Sequence, residues 1–364
     1  MIPPLLLPLL ILAALVSPVA AAAPAETRSY YIAKAPAAPG DGSLERPFIV
    51  NSAPELTAVL QSLPAHSHIH FLAGTFPCEP IQFKEGWQIT GAGMDLTILS
   101  ALPAEKTAVM MFSDFPTEVR DLTLDANAAA SPVPVQGLSI YARRGVVERV
   151  KVVESGGPGA EAFPILMAGR GTEPCQFIVR DCLIADTATH SNGSTAIILC
   201  RWSSGGVPTP AGSDGDFGLV EGNTILGGGG LGIAGFSHAT FRHNYVENTG
   251  KPFNGFNSDT GGNSHLVIEG NTFIGSAFPF TSYGVINLGS SGHPSEHARI
   301  RGNYIKLDAN GYVTSGVRIF GNVLDAEVSG NIIIERTPTK YAESLRSISV
   351  EGPGNQRLRL VNNR

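Results

Sequence analysis

Apolar residues along most of this chain come in runs of four to six, rich in Val and Ile and closed by Gly, Asn, Pro or Ser. Runs that short are not helices and read as strands. Laid against itself, the chain repeats one such run with its closing turn: Val220-Glu-Gly-Asn-Thr-Ile, Phe241-Arg-His-Asn-Tyr-Val, Ile268-Glu-Gly-Asn-Thr-Phe, Ile300-Arg-Gly-Asn-Tyr-Ile and Val328-Ser-Gly-Asn-Ile-Ile. The fourth position is always Asn, at Asn223, Asn244, Asn271, Asn303 and Asn331, separated by 21, 27, 32 and 28 residues. The frame continues upstream with other residues at that position, in Val119-Arg-Asp-Leu122, Val147-Glu-Arg-Val150 and Val179-Arg-Asp-Cys182, and ends in Leu360-Val-Asn-Asn363. A second strand precedes each unit, as in Gly137-Leu-Ser-Ile-Tyr, Ala196-Ile-Ile-Leu, Gly284-Val-Ile-Asn-Leu and Gly316-Val-Arg-Ile-Phe.

Asn tolerates left-handed backbone, and its amide bonds nearby main chain, so the recurring Asn predicts a sharp bend made by the Asn itself. Recurring once per coil, the amides can stack and hydrogen-bond along an axis. Three short strands per coil, wound into parallel sheets, define an all-β chain: a parallel β-helix of about nine or ten coils from about His68 to the end. A propeller blade would need roughly 40–50 residues and four strands, and the Leu frame of leucine-rich repeats is absent. One helix is expected, over Ala53 to Leu63.

The N-terminus has a different character. Leu5 to Val16 is apolar, broken only by Pro8, and Ser17-Pro18 and the small residues Val19 to Ala23 follow. This is the pattern of a signal peptide cleaved after Ala21 or Ala22, although its first residues lack Lys and Arg. The expected organisation is therefore a signal peptide over 1–22, an N-terminal segment with a capping helix over 23–67, and the β-helix over 68–364. Export places the mature chain outside the cell, in the periplasm or on the cell surface. There Cys78, Cys175, Cys182 and Cys200 allow three pairings. Cys175 and Cys182 flank a strand that would hold them about 20 Å apart, too far for a disulfide, and buried free thiols are the favoured reading.

Composition removes several classes. With 25 Lys and Arg against 31 Asp and Glu, the chain of 364 residues carries a net charge of −6 and lacks the positive field that nucleic acid requires. Past the N-terminus no apolar run approaches the roughly 18 residues of a membrane span. Gly and Pro make up about 19% of the chain, below the roughly 25–30% of low-complexity sequence. The chain stops at Asn363-Arg364 inside a repeat, so a partner or further chain is expected over the last coil.

Gly40-Asp-Gly-Ser-Leu-Glu-Arg-Pro-Phe48 precedes the expected helix, and Ile69-His-Phe-Leu-Ala-Gly-Thr-Phe76 and Gly86-Trp-Gln-Ile-Thr-Gly-Ala-Gly-Met-Asp-Leu-Thr-Ile-Leu99 follow it. This arrangement resembles the pectate-lyase-like superfamily of right-handed parallel β-helix proteins, in which a helix caps the first coil. The resemblance spans nearly the whole mature chain. It implies a carbohydrate-active protein with a polysaccharide partner, and the superfamily holds lyases, hydrolases, esterases and noncatalytic members. The Asn-Thr-Asp, Asp-Asp, Gly-His-Gly and Arg-Ile-Lys motifs of polygalacturonase-like members are absent, Arg318-Ile319-Phe320 lacking the Lys. The Arg-x-Pro-x-x-Arg of pectate lyases is only approached, by Arg336-Thr-Pro338-Thr-Lys340-Tyr341.

Chemistry is expected outside one sheet, where neighbouring coils set side chains about 4.8 Å apart. Asn254-Gly-Phe-Asn-Ser-Asp259 is the most polar version of the repeat; with Phe256 inward, Asn257 and Asp259 point out, and Arg318 does so two coils on. The preceding glycine-rich coil, Gly227 to Phe236, would leave a depression beside them. A lyase acting on uronic-acid polymer must neutralise the sugar carboxylate and remove the C5 proton, with Lys251, Arg318 or His238 as base. Asp259 completes that catalytic set, and Asn257 and Arg201 are the expected substrate contacts. A hydrolase would need two carboxyls, Asp259 with Asp214 or Asp216. Asp214 and Asp216 could also ligate Ca²⁺, the one cofactor expected, although a solvated Gly/Asp turn explains them equally. His238, His265, His293 and His297 fall on turns of one kind, His293 and His297 being candidate transition-metal ligands. The competing class is a noncatalytic surface or glycan-binding β-helix.

Overall fold

The computed structural model describes residues 27–34, 40–103, 108–113, 115–131, 135–156, 163–171, 173–185, 195–202, 215–227, 229–247, 255–258, 262–274, 284–289, 293–307, 315–335 and 346–364. The expected signal peptide over 1–22 and the segment from Arg336 to Tyr341 lie outside them. Among the described residues no helix is long and apolar enough to cross a membrane.

Every strand pairing in the two large sheets is parallel, and each strand pairs with its counterpart one coil away, so the chain is a parallel β-helix. One sheet has ten strands, one per coil, from Ile81–Gln82 to Arg346–Glu351. The other two strands of each coil belong to a single sheet of 21 strands. Its two faces join because Thr117–Asp125 and Arg144–Val153 run through the bend between them. Alternation sets one residue of each strand inward. The inward positions stack in register: Val119, Val147, Val179, Val220, Phe241, Ile268, Ile300 and Val328 form one column, each fully buried. Burying each such side chain contributes about 1.5–3 kcal/mol.

The repeat Asn residues form a buried ladder. Asn223 Nδ2 donates to Asn244 Oδ1 at 2.9 Å, Asn244 Nδ2 to Asn271 Oδ1 at 2.9 Å, Asn271 Nδ2 to Asn303 Oδ1 at 3.0 Å, and the series runs through Asn331 to Asn363. The same Oδ1 atoms accept the backbone N–H of the preceding Asn, and each Nδ2 also donates to a carbonyl of the coil before, as Asn271 does to Phe241 O at 2.9 Å. The ladder Asn residues do not themselves take the left-handed backbone that the sequence suggested. The residue before each one does: Gly222, His243, Gly270, Gly302, Gly330 and Asn362 have φ between +52° and +64°. The physical reason is a division of labour: bending falls to a residue without need of its side chain, usually Gly, which leaves the Asn amide pointed inward. At Gly302 a Cβ would meet nothing within 4 Å, so only its φ of +62° calls for glycine.

A second register column, on the outer face, alternates in sign: Arg120, Glu148, Arg180, Glu221, Arg242, Glu269 and Arg301, with Glu148 buried among its arginine partners. Arg180 meets Glu148 at 3.0 Å, Arg242 meets Glu221 at 2.7 Å and Arg301 meets Glu269 at 2.7 Å; Arg120 also pairs with Glu148. The helix, Ala53–Ser62, begins at Ser52, whose side chain accepts from Glu55 N while Glu55 accepts from Asn51 N, a reciprocal cap. Its Leu56 and Leu60 join the common core with Ile81, Phe83 and Trp87.

Asn271→Ala should lower stability by about 1–3 kcal/mol, because it leaves buried groups on both flanking coils without partners. Urea denaturation beside an outward substitution such as Arg301→Ala, expected to shift stability by no more than about 0.5 kcal/mol, measures the difference.

Candidate functional site

On the outer face of the ten-stranded sheet, Gly232, Asn257, Asn287, Arg318 and Ser349 fall in one register row. They face outward because Leu231, Phe256, Ile286 and Val317, the preceding residues of the same strands, fill the core. Further toward the N-terminus the same row carries Leu166 and Ile198, which belong to a small apolar cluster with Phe163, Ala168, Cys200 and Ala234, separate from the main core. The row therefore changes from apolar to polar at Asn257. Asn287 is fully buried; its Oδ1 accepts from Gly284 N at 2.9 Å, while its Nδ2 has no partner among the described residues. Arg318 donates from Nε to Glu351 Oε2 at 3.1 Å, its Nη2 lies 3.0 Å from the same oxygen, and its guanidinium sits 4.4 Å from the Phe320 ring centroid. A fixed cation, an aromatic face and amides at strand spacing can hold a carboxylate and hydroxyls together.

Three expectations need correction. Gly232 adjoins Asn257, but a Cβ there would lie 2.7 Å from Thr195 Cγ2, so Thr195 occupies the depression expected over the glycine run. Arg201, expected to contact substrate, is only 2% exposed. Its Nε donates to Asp216 Oδ2 at 2.9 Å, its Nη2 also pairs with Asp216, and Nη1 donates to Gly171 O at 2.7 Å. Asp216, expected as a Ca²⁺ ligand or hydrolytic carboxylate, is the buried partner in that ion pair and accepts Cys175 N at 2.9 Å. A lone Arg beyond an apolar strand and an Asp in a Gly turn looked like surface chemistry. A buried cation requires a buried anion, and these two answer each other.

His238 lies at a different corner, beyond the end of the ten-stranded sheet. There His238, His265, His297, Asp325 and Arg357 are all left-handed, with φ between +50° and +56°. The rings of His238 and His265 stack at 4.3 Å, those of His265 and His297 approach at 4.8 Å, and Arg357 Nε donates to Asp325 Oδ1 at 2.8 Å. His293 is exposed on the loop ahead of this column. Lys251, Asp259 and Asp214 lie outside the described residues. Among the described residues, Arg318 and Asn257 are thus brought to one face, while His238, Arg201 and Asp216 are not.

Two features escaped sequence reasoning. Asn287 was visible as the polar residue inside Gly284-Val-Ile-Asn-Leu, the strand one coil after Asn257. His68 and His70, two apart on one strand, share an outer face near the N-terminus with ring centroids 3.9 Å apart, and Tyr31 stacks on His70 at 4.7 Å. Burial holds His68 below its ordinary range, and burial, then the neighbouring His68, pushes His70 down to about 4. The cysteines form no disulfide: all four are buried thiols, and burial pushes Cys78 and Cys182 up to about 12.

No known sequence family matches this chain, and no curated protein does. Among solved structures it is similar to the A-module of mannuronan C-5 epimerase AlgE4 from Azotobacter vinelandii, with 18% identity, 85% of this chain and 94% of that one covered, and a TM-score of 0.40. It is also similar to DFA-IIIase from Arthrobacter chlorophenolicus A6, without its lid and in complex with GF2, with 12% identity, 85% and 92% covered, and a TM-score of 0.49. The catalytic domain of a GH87 alpha-1,3-glucanase gives 14% identity, 79% and 64% covered, and a TM-score of 0.43. At these values none of them says what this chain binds.

Arg201→Ala should destabilise the fold by about 3–5 kcal/mol, because it strands the buried Asp216 carboxylate. Chemical denaturation checks this, with Arg201→Lys expected to recover part of the loss. His70 supplies a pH dependence. The unfolded chain binds a proton near the ordinary 6.5 and the folded chain only near 4, so stability is complete above that window and falls as the pH descends through it. His70→Gln should flatten the slope when unfolding is followed at pH values above and inside the window.

Proposed function

We propose that this chain is an exported carbohydrate-active β-helix that engages a uronic-acid-containing polysaccharide on the outer face of its ten-stranded sheet and cleaves it by β-elimination. The observation that carries this reading is the polar row Asn257, Asn287, Arg318, which follows Leu166, Ile198 and Gly232 in the same register, with one buried amide donor lacking an acceptor among the described residues. A buried unpaired donor is costly, and a ligand oxygen lodged between Asn257 and Arg318 would relieve it once the groups that cover Asn287 move aside. Arg318, held by Glu351, would neutralise the sugar carboxylate and so acidify the C5 proton. A base takes that proton, the C4–O bond breaks, a C4–C5 double bond forms, and the leaving oxygen is protonated. Lys251 and Asp259 are the proposed groups for the proton transfers.

Several features support the wider setting. The signal-like segment over 1–22 suits export. The packing of Leu56 and Leu60 suits a helix that covers the first coil, and parallel crossovers favour right-handed winding. The hydrolase alternative loses Asp216, whose oxygens go to Arg201, and with it the proposed Ca²⁺ pair. A noncatalytic glycan-binding role is favoured by one observation: Arg318 is tied to Glu351, and His238 lies at another corner, so among the described residues neither of these two candidate bases is poised over the row.

Incubation with acidic polysaccharides, followed at the ultraviolet absorbance of unsaturated uronate products, tests the lyase reading. Arg318→Gln should weaken binding and lower turnover by about 10–100-fold, as the loss of a charge-assisted hydrogen bond predicts. Binding without absorbance change leaves the noncatalytic role. Neither binding nor turnover with any acidic polymer overturns the proposal.

A further inference from the structure

A second site lies on the outside of the larger sheet, at its N-terminal end. In the strand Ser67–Phe71, His68 and His70 both face outward, half-buried, because Ser67, Ile69 and Phe71 fill the interior. Thr90 stands opposite His70 on the next coil. Its Oγ1 lies 2.7 Å from His70 Nδ1 and 3.4 Å from His68 Nε2, so two imidazole nitrogens from one strand converge on one oxygen. Which of the two nitrogens carries a proton depends on the tautomer; with both protons on the far ring nitrogens, two lone pairs face one hydroxyl that has a single proton to give.

We propose that His68 Nε2, His70 Nδ1 and the Thr90 hydroxyl form an open binding site for a divalent transition-metal ion such as Zn²⁺ or Ni²⁺. Imidazole nitrogens are the preferred donors for these ions, at about 2.0–2.1 Å for zinc. Small ring rotations would bring both nitrogens that close to a shared ion in place of the long contact to Thr90. Tyr31 stacks on one face of His70 at 4.7 Å. Beyond the two imidazoles, Glu118 shares the row of His68 through Gln88 and supplies negative charge near the site, and Arg120 opposes it. Among the described residues no group of three His, Cys, Asp or Glu surrounds a metal, so the remaining positions fall to water, and the ion is exchangeable.

Titration of the full chain with Zn²⁺ or Ni²⁺ alone, followed by calorimetry after chelator treatment, should give one saturable site. His68→Ala and His70→Ala should each weaken it by about tenfold or more, and Thr90→Val less. A variant with His238, His265 and His297 all changed to Ala should bind as the parent does. Imidazole proton signals give a measurement free of substitutions: paramagnetic Ni²⁺ should broaden those of His68 and His70 first. The absence of saturable binding, or a loss or broadening that follows the corner histidines and spares His68 and His70, overturns the proposal.

Discussion

The amide of the ladder asparagine fixes how successive coils meet. From Asn244 to Asn331 each accepts two donors from the coil before it and donates across both coils, so a coil can neither rotate nor slide against its neighbour without breaking several buried hydrogen bonds together. The rest of the architecture follows from that lock. With the corner held, the inward residues fall over one another, and short strands with little stability of their own become a continuous interior. Upstream, where Leu122, Val150 and Cys182 occupy the same corner, apolar packing replaces the amide, and Cys182 N hands its hydrogen bond to Asn223.

The ladder was legible because it leaves a residue at a fixed place in a repeating frame, and alternation around it gave strands, parallel pairing and inward faces. The division of work inside the corner was less legible. Gly-Asn reads as one turn signal, and only the backbone angles show that the Gly bends while the Asn bonds. The helix was expected over Ala53 to Leu63 and runs over Ala53–Ser62.

The candidate site was only partly legible, for a different reason. The outward direction of Asn257 and Arg318 follows from period two, and their presence in one row follows from coil counting. What a single strand cannot reveal is a partner across the helix. Arg201 and Asp216 are 15 residues apart, and nothing local distinguishes a guanidinium that reaches inward from one that faces solvent. Thr195 over Gly232 is a filled space of the same hidden kind, and the convergence of His68 and His70 on Thr90 needs the coil-to-coil register to be seen.

The alternating column of Arg and Glu has a consequence for how such a chain can change in length. Each coil presents one sign, so removing one coil from the stretch between Arg120 and Arg301 would set like charge against like at the junction, a destabilising contact for side chains directly opposite. Removing two neighbouring coils would restore the alternation. Over this stretch the unit that can be gained or lost without electrostatic penalty is a pair of coils, although the hydrogen bonds of the fold repeat with every single one.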